Sequence, residues 1–589
     1  MNTDRSRYRG SFELCTYVVV RDIERFFAGE HMLRNVTGTL HRMGVAHVVL
    51  EVYRGGVEAA DAALQRARDV LQGAGFRVSG GLTTTCGEGV GRPEIPQRKR
   101  FCYSRPESME ALARLSRKAA RLFDQLVLDD FFFTRCECED CRSARGGRPW
   151  RVFRTELLRK VARDGILTPG RAENPACRFV IKFPQWYDRF ERFGYDVPSG
   201  AEAFDAVWVG TETRDPHNRL RYSVVQQAES WVVYDWVESM AGGKTEAAWF
   251  DPIGCDRESY VEQAFQTVLT GTPEMVLFNY GSVFESARVA PLREAFEEQL
   301  PRLRQWAEAL SGARPCGLAC VRPPGMQAQW EPYVFDYLAM IGVPVTLHPD
   351  LPDNAQAIFL PEHAATLPRI GSRVRERLRD GASIVVTTSF LAQLNDAELA
   401  RDVFGVVLKR KTGPVSVTRV YDSDTFHILP MALAMRGTIA EAGASAILVC
   451  GDEEVQLPFL TRSAYGNGYA GVLDTVTAPV EFDALHVDRW IGLMELPEPV
   501  LNRLRAELLA VQGLAIEGPG RVGVYTFDGG TVAVCNYRNV SVTMRIGCRE
   551  RRGAGEKISS RCAPAEWIAV ELAPRSRILI PGNAPAERL

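Results

Sequence analysis

The stretch LVLDDFFFTRCECEDC, residues 126–141, sets two chemistries side by side. Asp129 and Asp130 are adjacent carboxylates closing an aliphatic run, suited to general acid, general base or nucleophilic work. Cys136, Cys138 and Cys141 form a C-x-C-x2-C cluster that offers three thiolates from one short loop. Zinc takes four tetrahedral ligands, so a fourth has to come from elsewhere. Cys102, in QRKRFCYSRPES, is the first choice and Cys86 the second. Four cysteine ligands leave no open coordination position, which makes such a metal structural rather than catalytic. The chain has eight His and none lies near the cluster, which weighs against a His-based catalytic zinc. Four readings stand at this point: a catalytic metal, a carboxylate site, a zinc staple beside a carboxylate site, and unliganded thiols.

Further polar residues share one habit, that of following a short β-branched or aromatic run. They are Asp22, Glu51 with Arg54, Lys182 with Trp186 and Tyr187, Glu212 with Arg214 and Asp215 in TETRD, Asp251 in AAWFDPIG, and Asn279. The runs cover 15–20, 47–53, 76–82, 126–132, 178–183, 204–212, 247–251 and 275–281. Between them lie segments with apolar residues at three- and four-residue spacing, as in AADAALQRARDVLQGAG. Eight strand–helix alternations over the first ~300 residues predict a (β/α)8 barrel, with a doubly wound open sheet as the competitor. In a barrel, functional side chains gather at the carboxyl-terminal strand ends. Every run but the third, FRVSGGL, is followed by such a residue.

After LSGARP the rhythm restarts with CGLACV, VPVTLHP, AQAIFLP and ASIVVTT, which predict a smaller α/β layer domain. From about residue 514 short β runs bounded by Gly, Asn and Pro predict a small antiparallel β-sandwich. The 589 residues carry 46% hydrophobic and 24% charged side chains with a formal net charge of −2. That describes a multidomain globular protein with no electrostatic footprint for nucleic acid or an anionic membrane. No apolar run reaches the roughly 18–20 residues of a membrane span. The start, MNTDRSRYRGSF, lacks the apolar core of a secretory signal, so a cytoplasmic setting with reduced cysteines is expected.

Two segments, RKRFCYSRPESMEALARLSRKAA and CECEDCRSARGGRPWRVFRTELLRK, resemble the family-42 glycoside hydrolases. These are β-galactosidases with a zinc-bound four-cysteine cluster. That family joins a barrel to a glutamine-amidotransferase-like α/β domain used for trimerisation, and then to a small β domain. The resemblance implies a catalytic barrel over 1–312, an amidotransferase-like domain over 313–500 and a C-terminal β domain over 501–589. It also implies a structural zinc on Cys102, Cys136, Cys138 and Cys141, no catalytic cofactor, and a trimer. An amidotransferase needs a nucleophilic Cys at a strand–helix elbow, where ASIVVTTSFLAQL offers Thr388 and Ser389, so no such activity is expected.

The family keeps a Glu after Asn at the end of strand four and a second Glu ending strand seven. This chain has Asp129-Asp130 and Asp251 there instead. Glycoside hydrolysis needs two carboxyl groups flanking the scissile bond, one of raised pKa to protonate the leaving oxygen. The resemblance places Asp251 as nucleophile and the Asp129-Asp130 pair at the acid's position, where Asp130 is the favoured acid, with Glu212 as the third catalytic candidate. Asp22, Glu51, Arg54, Asp129, Lys182, Trp186, Tyr187, Arg214, Trp249 and Asn279 are expected around the sugar. The expected activity is exo-acting hydrolysis of small oligosaccharides or glycosides; the resemblance implies retention and a galactosidase-like substrate, while the residues leave retaining and inverting chemistry both open. A sugar-binding scaffold on a degenerate barrel and a zinc-dependent hydrolase are the alternatives.

Overall fold

The structure, a computed structural model, describes residues 8–27, 29–85, 92–95, 98–216, 226–409, 414–422, 425–451, 456–477, 491–548 and 566–582. Contacts divide the chain into two compact units, 1–215 with 229–312, and 216–228 with 313–589.

The first unit contains the eight expected strands. They are β1 Glu13–Val18, β2 Val45–Arg54, β3 Arg77–Leu82 and β4 Gln125–Leu128. The second half adds β5 Arg178–Phe183, β6 Ala206–Gly210, β7 Thr245–Phe250 and β8 Glu274–Phe278. Each pairs in parallel with its neighbour in sequence, and β1 pairs with both β2 and β8, which closes the barrel and excludes the open sheet. Helices α1 Glu30–Met43, α2 Asp61–Gly73, α3 Pro106–Leu122 and α4 Trp150–Val161 follow the first four strands. Helices α5 Val197–Ala203, α6 Glu229–Ala241, α7 Arg257–Leu269 and α8 Ala290–Ala309 follow the rest. In α3, Pro106 occupies the first turn, where its missing N–H is harmless, and Leu112, Leu115, Ala119 and Leu122 form the buried stripe. Helix α7 starts on a reciprocal cap between Asp256 and Ser259.

The barrel interior follows the period of two along each strand. Cys15, Tyr17, Val49, Val127, Val180, Ala206, Trp208, Ala247, Trp249 and Val276 form one buried cluster. Large rings sit among small residues, so the interior is filled rather than open.

In the second unit the four expected strands, β9 Leu318–Val321, β10 Val345–His348, β11 Ala357–Leu360 and β12 Ser383–Thr387, lie parallel in the order β10-β9-β11-β12. The sheet then continues through strands the sequence reading did not separate. These are β13 Val415–Asp422, β14 Thr425–Met435, β15 Ser445–Gly451, β16 Gln456–Tyr465 and β17 Gly468–Leu473. The full order is β10-β9-β11-β12-β17-β16-β15-β13-β14, with β17 parallel to β12 and the remainder antiparallel. Thr388 and Ser389 follow β12 at the elbow and are buried, with Thr387 capping the turn through Phe390 N. The C-terminal strands are β18 Leu514–Glu517, β19 Val522–Phe527, β20 Val532–Asn536, β21 Val542–Cys548, β22 Glu566–Leu572 and β23 Arg577–Ile580. They form two antiparallel sheets, β19-β20-β23 and β18-β21-β22, with Pro315–Cys316 on the free edge of β19. Among the described residues no helix is long and apolar enough to cross a membrane.

Candidate active site

The carboxyl-terminal ends of β2, β4, β5, β6 and β7 carry a row of alternating charge. Glu51, fully buried on β2, accepts bonds from the Tyr17 hydroxyl at 2.9 Å, Thr83 Oγ1 at 2.7 Å and Val20 N at 2.8 Å. Arg54 Nε lies 2.8 Å from its Oε1, and Arg54 Nη2 reaches Asp129 Oδ2 at 2.6 Å. Burial pushes the Glu51 carboxyl up, against the pull of Arg54 and its other donors. The Arg54 guanidinium stands over the rings of Phe131 and Phe278.

Strand β4 ends at Leu128, so Asp129 and Asp130 lie where the chain is already turning and need not point to opposite faces. Asp129 is buried and saturated, with Arg54 and Thr83 on Oδ2 and the Asp130 N–H on Oδ1 at 2.8 Å. Burial alone would raise its pKa, but Arg54 and Lys182 hold it below the ordinary carboxylate range. Asp130 is the more open, its side chain 16% exposed, with Oδ2 2.7 Å from Lys182 Nζ and its carbonyl taking the Tyr195 hydroxyl. Burial raises its pKa and Asp129 adds to the rise, while Lys182 opposes it.

Lys182 Nζ is also 2.7 Å from Glu212 Oε1, so the Asp130 and Glu212 oxygens lie within twice that distance of one another. Nζ sits 4.1 Å from the centroid of the Trp249 ring. Glu212 is buried, its Oε2 has no hydrogen-bond partner among the described residues, and burial pushes its pKa up to about 7 in spite of Lys182. Next along, Arg214 forks onto Asp251, Nε to Oδ1 at 2.9 Å and Nη2 to Oδ2 at 2.7 Å. Asp251 Oδ1 also accepts from Ile253 N at 3.0 Å. Arg214 holds a left-handed backbone with φ 56°, a conformation that costs a non-glycine residue about 1–2 kcal/mol. Gln263 fixes that turn, accepting from Arg214 N and donating to the Asp251 carbonyl, each at 3.0 Å.

Several expected site residues are placed differently. Lys182, Tyr187 and Trp249 are at most 2% exposed and offer nothing to a sugar. Lys182 is spent on two carboxylates, Tyr187 tilts against Trp236, and Trp249 stacks on Phe278. Trp186 stays half-buried at the rim beside Phe133, Phe193 and Tyr195. Asn279 Oδ1 accepts from Ser282 N and caps a short helix, and Asp22 accepts from the Gly281 N–H. Asp251, expected as nucleophile, has both oxygens engaged. Thr83, Tyr17, Tyr195 and Gln263 were not anticipated. Thr83 follows the one strand thought to end without a polar residue, and a hydroxyl directly after GGL was the available signal.

Gly81 on β3 allows this arrangement, because a methyl group there would overlap the Tyr17 hydroxyl that reaches Glu51. Gly81→Ala is expected to destabilise the barrel by about 1–3 kcal/mol, the usual range for overpacking. Replacing Tyr17 by Phe in the same background should recover part of the loss, and thermal unfolding of the two variants measures both effects.

The sulfurs of Cys102, Cys136, Cys138 and Cys141 all lie within 4.8 Å of one another. Cys102 Sγ is 3.6 Å from those of Cys138 and Cys141 and 3.9 Å from that of Cys136. A zinc tetrahedron with bonds of ~2.3 Å has edges of ~3.8 Å, close to the three spacings from Cys102, so the four thiols could hold a metal of that size. The cluster is buried against Phe153, with Trp150 and Leu157 packed on it, and Arg105 pairs with Asp140 across the same loop at 2.7 Å. Cys86 lies outside the described residues.

A closed (β/α)8 barrel whose strand ends present paired carboxylates is the architecture of a barrel glycoside hydrolase. Residues 2–310 match the family described as "Probable glycosyl hydrolase, catalytic domain", and the chain belongs to that family. Residues 315–477 match the second domain of the uncharacterized protein SSO3021. That protein, from Saccharolobus solfataricus, is 25% identical over 364 residues, a match taking in 57% of this chain and 60% of the relative. Among solved structures, a β-galactosidase from Bacillus circulans sp. alkalophilus is similar with TM-score 0.62 and 12% identity, over 97% of this chain and 99% of that one. A GH42 β-galactosidase from G. stearothermophilus gives 0.63 and 12%, over 97% and 98%. An exo-β-1,4-mannosidase from Opitutaceae bacterium strain TAV5 gives 0.53 and 13%, over 87% and 99%.

Proposed function

We propose that the chain is a retaining, exo-acting glycosidase in which Asp130 is the nucleophile and Glu212 the acid and base. The observation that carries this reading is the shared Lys182, which sets the two carboxylate oxygens within twice 2.7 Å. Retaining enzymes separate their carboxyl groups by about 5–5.5 Å and inverting ones by about 6.5–9.5 Å, so this upper limit lies below the inverting range. Among the described residues Glu212 Oε2 has no hydrogen-bond partner, whereas both oxygens of Asp129 and of Asp251 are engaged. Glu212, its pKa pushed up to about 7, keeps its proton in roughly half of the molecules at neutral pH and in more below it, where a leaving group can take it.

In the first step an Asp130 oxygen bonds to the anomeric carbon as the glycosidic C–O bond breaks and the Glu212 proton passes to the departing oxygen. In the second, water gives a proton to Glu212 while its oxygen bonds to the anomeric carbon, and the ester bond to Asp130 breaks. Arg54, Asp129, Glu51 and Thr83 hold the Asp130 turn from the β2 and β3 side, and the Arg214–Asp251 fork holds the Glu212 turn from the β7 side.

The three β-glycosidase structures that share the fold motivate a galactoside or mannoside as substrate. Zinc on the four cysteines, supported by the sulfur geometry, belongs to the same proposal, as do a trimer, which the resemblance to the family-42 enzymes implies, and a cytoplasmic setting. A panel of aryl glycosides followed by product NMR tests the function. The expected result is a first-formed sugar of retained anomeric configuration, with turnover falling as pH rises through about 7 and Glu212 gives up its proton. An inverted product would exclude the nucleophile, and tight binding without turnover would favour the sugar-binding scaffold.

A further inference from the structure

We infer that Lys182 is a positioning residue that holds the Asp130–Glu212 pair at one negative charge throughout the reaction. The inference rests on the proposed roles of those two carboxyls.

The geometry is unusual for a substrate-binding lysine. Nζ is buried at 1% side-chain exposure, equidistant at 2.7 Å from the two carboxylate oxygens, and seated over the Trp249 ring. Val180 and Lys182 share the inner face of β5, so the stem rises through the packed interior rather than around the rim. An ammonium so enclosed cannot reach a sugar hydroxyl. It can only answer the charge of its neighbours.

That charge moves during the proposed reaction. Before attack Asp130 is ionised and Glu212 protonated. Once the glycosyl ester forms, Asp130 is neutral and Glu212 carries the charge. One ammonium at equal distance from both oxygens meets one negative charge in either state, so the charge shifts without the ammonium moving and without water entering. Preorganised charge of this kind acts without reorganisation at the moment of reaction. The rest of the row keeps the account local. Asp129 is matched by Arg54, Asp251 by Arg214, and Glu51 by Arg54 and its three other donors. Lys182 is the cation hydrogen-bonded to both members of the pair, while Arg214 acts on Glu212 from farther off and Lys182 also acts on Asp129. Its influence on both carboxyls has the same sign, drawing each toward the ionised form.

Lys182→Met and Lys182→Gln test the inference through the pH dependence of kcat/KM. Loss of the ammonium should raise the pKa of both carboxyls, moving the acid and alkaline limbs upward together by about one pH unit or more, with a fall in kcat. Lys182→Arg, which keeps the charge, should leave the limbs closer to those of the wild type than either neutral variant does. A lysine that merely fills space predicts lower activity or thermal stability with both limbs unmoved, and that result would overturn the inference. If neither neutral variant folds, displaced limbs in a folded Lys182→Arg protein refute the inference. Activity surviving in Asp130→Asn or Glu212→Gln would instead remove the underlying assignment, so the two failures are distinguishable.

Discussion

Asp130→Asn and Glu212→Gln are each expected to lower kcat by on the order of 10³-fold or more while the barrel stays folded. The two losses should differ in kind. Asp130→Asn removes the negative charge that attacks the anomeric carbon, so every substrate should suffer, whatever its leaving group. It would also leave Lys182 facing Glu212 alone, drawing that carboxyl toward ionisation and stripping it of its proton. Glu212→Gln removes the proton donor, so a substrate with a strongly acidic phenol as leaving group should lose much less than one with an alkoxide. Azide separates the roles further. Added to Glu212→Ala it should give a glycosyl azide of retained configuration, and added to Asp130→Ala one of inverted configuration. Asp251→Asn is the control: it breaks the fork with Arg214, so it should weaken stability and the turn after β6 without azide rescue. Unimpaired turnover in both Asp130→Asn and Glu212→Gln would sink the assignment.

Loss of the proposed zinc is expected to have the second large effect. Four cysteines at tetrahedral spacing are expected to bind one zinc per chain, and Cys136→Ser or Cys141→Ser should abolish that binding. The cost is local before it is global. The cluster joins the segment after β3, through Cys102, to the loop after β4, and its inner face is packed by Trp150, Phe153 and Leu157. Unliganded thiols or a serine hydroxyl in that buried pocket lose the bonds that organise it. A loss of a few kcal/mol corresponds to a fall in thermal midpoint on the order of 10 °C. Metal analysis with scanning calorimetry checks the pair of outcomes. A structural metal predicts that residual activity tracks the folded fraction. A folded, metal-free protein with no turnover would instead mark the metal as part of the chemistry, and a wild-type protein without zinc yet equally stable would exclude the site.

The barrel was legible because its signals are local. Each strand is a short apolar run, each helix has an apolar stripe, and eight repeats leave few alternatives. The antiparallel half of the second unit was not, since β13 to β16 mix exposed and half-buried residues along their length and give no clean alternation. Site residues divided in the same way. That Asp129, Asp130, Glu212 and Asp251 belong to one rim followed from their positions after strands. Their roles did not, because role depends on partners brought from other strands. Asp251 and Asp129 read as site groups open to a sugar until Arg214 and Arg54 are seen to occupy them. Lys182 read as a sugar ligand because sequence shows that a charge follows Val180, not that the barrel closes over it. The cysteine cluster was the most legible feature, its ligand spacing being written in the chain.

The row from Glu51 to Asp251 has a consequence for inheritance. In it the five carboxylates and three cations are each held by a neighbour, so altering any one strands another in a buried place. A site built this way resists drift by single steps. Its members should change in compensating pairs, Arg54 with Glu51 or Asp129, Arg214 with Asp251, and a lineage that lost Lys182 should have neutralised Asp130 or Glu212 as well. This mutual dependence offers a reason for the aspartates at the ends of β4 and β7: a longer side chain at either place would have to move the cation that already fits the shorter one.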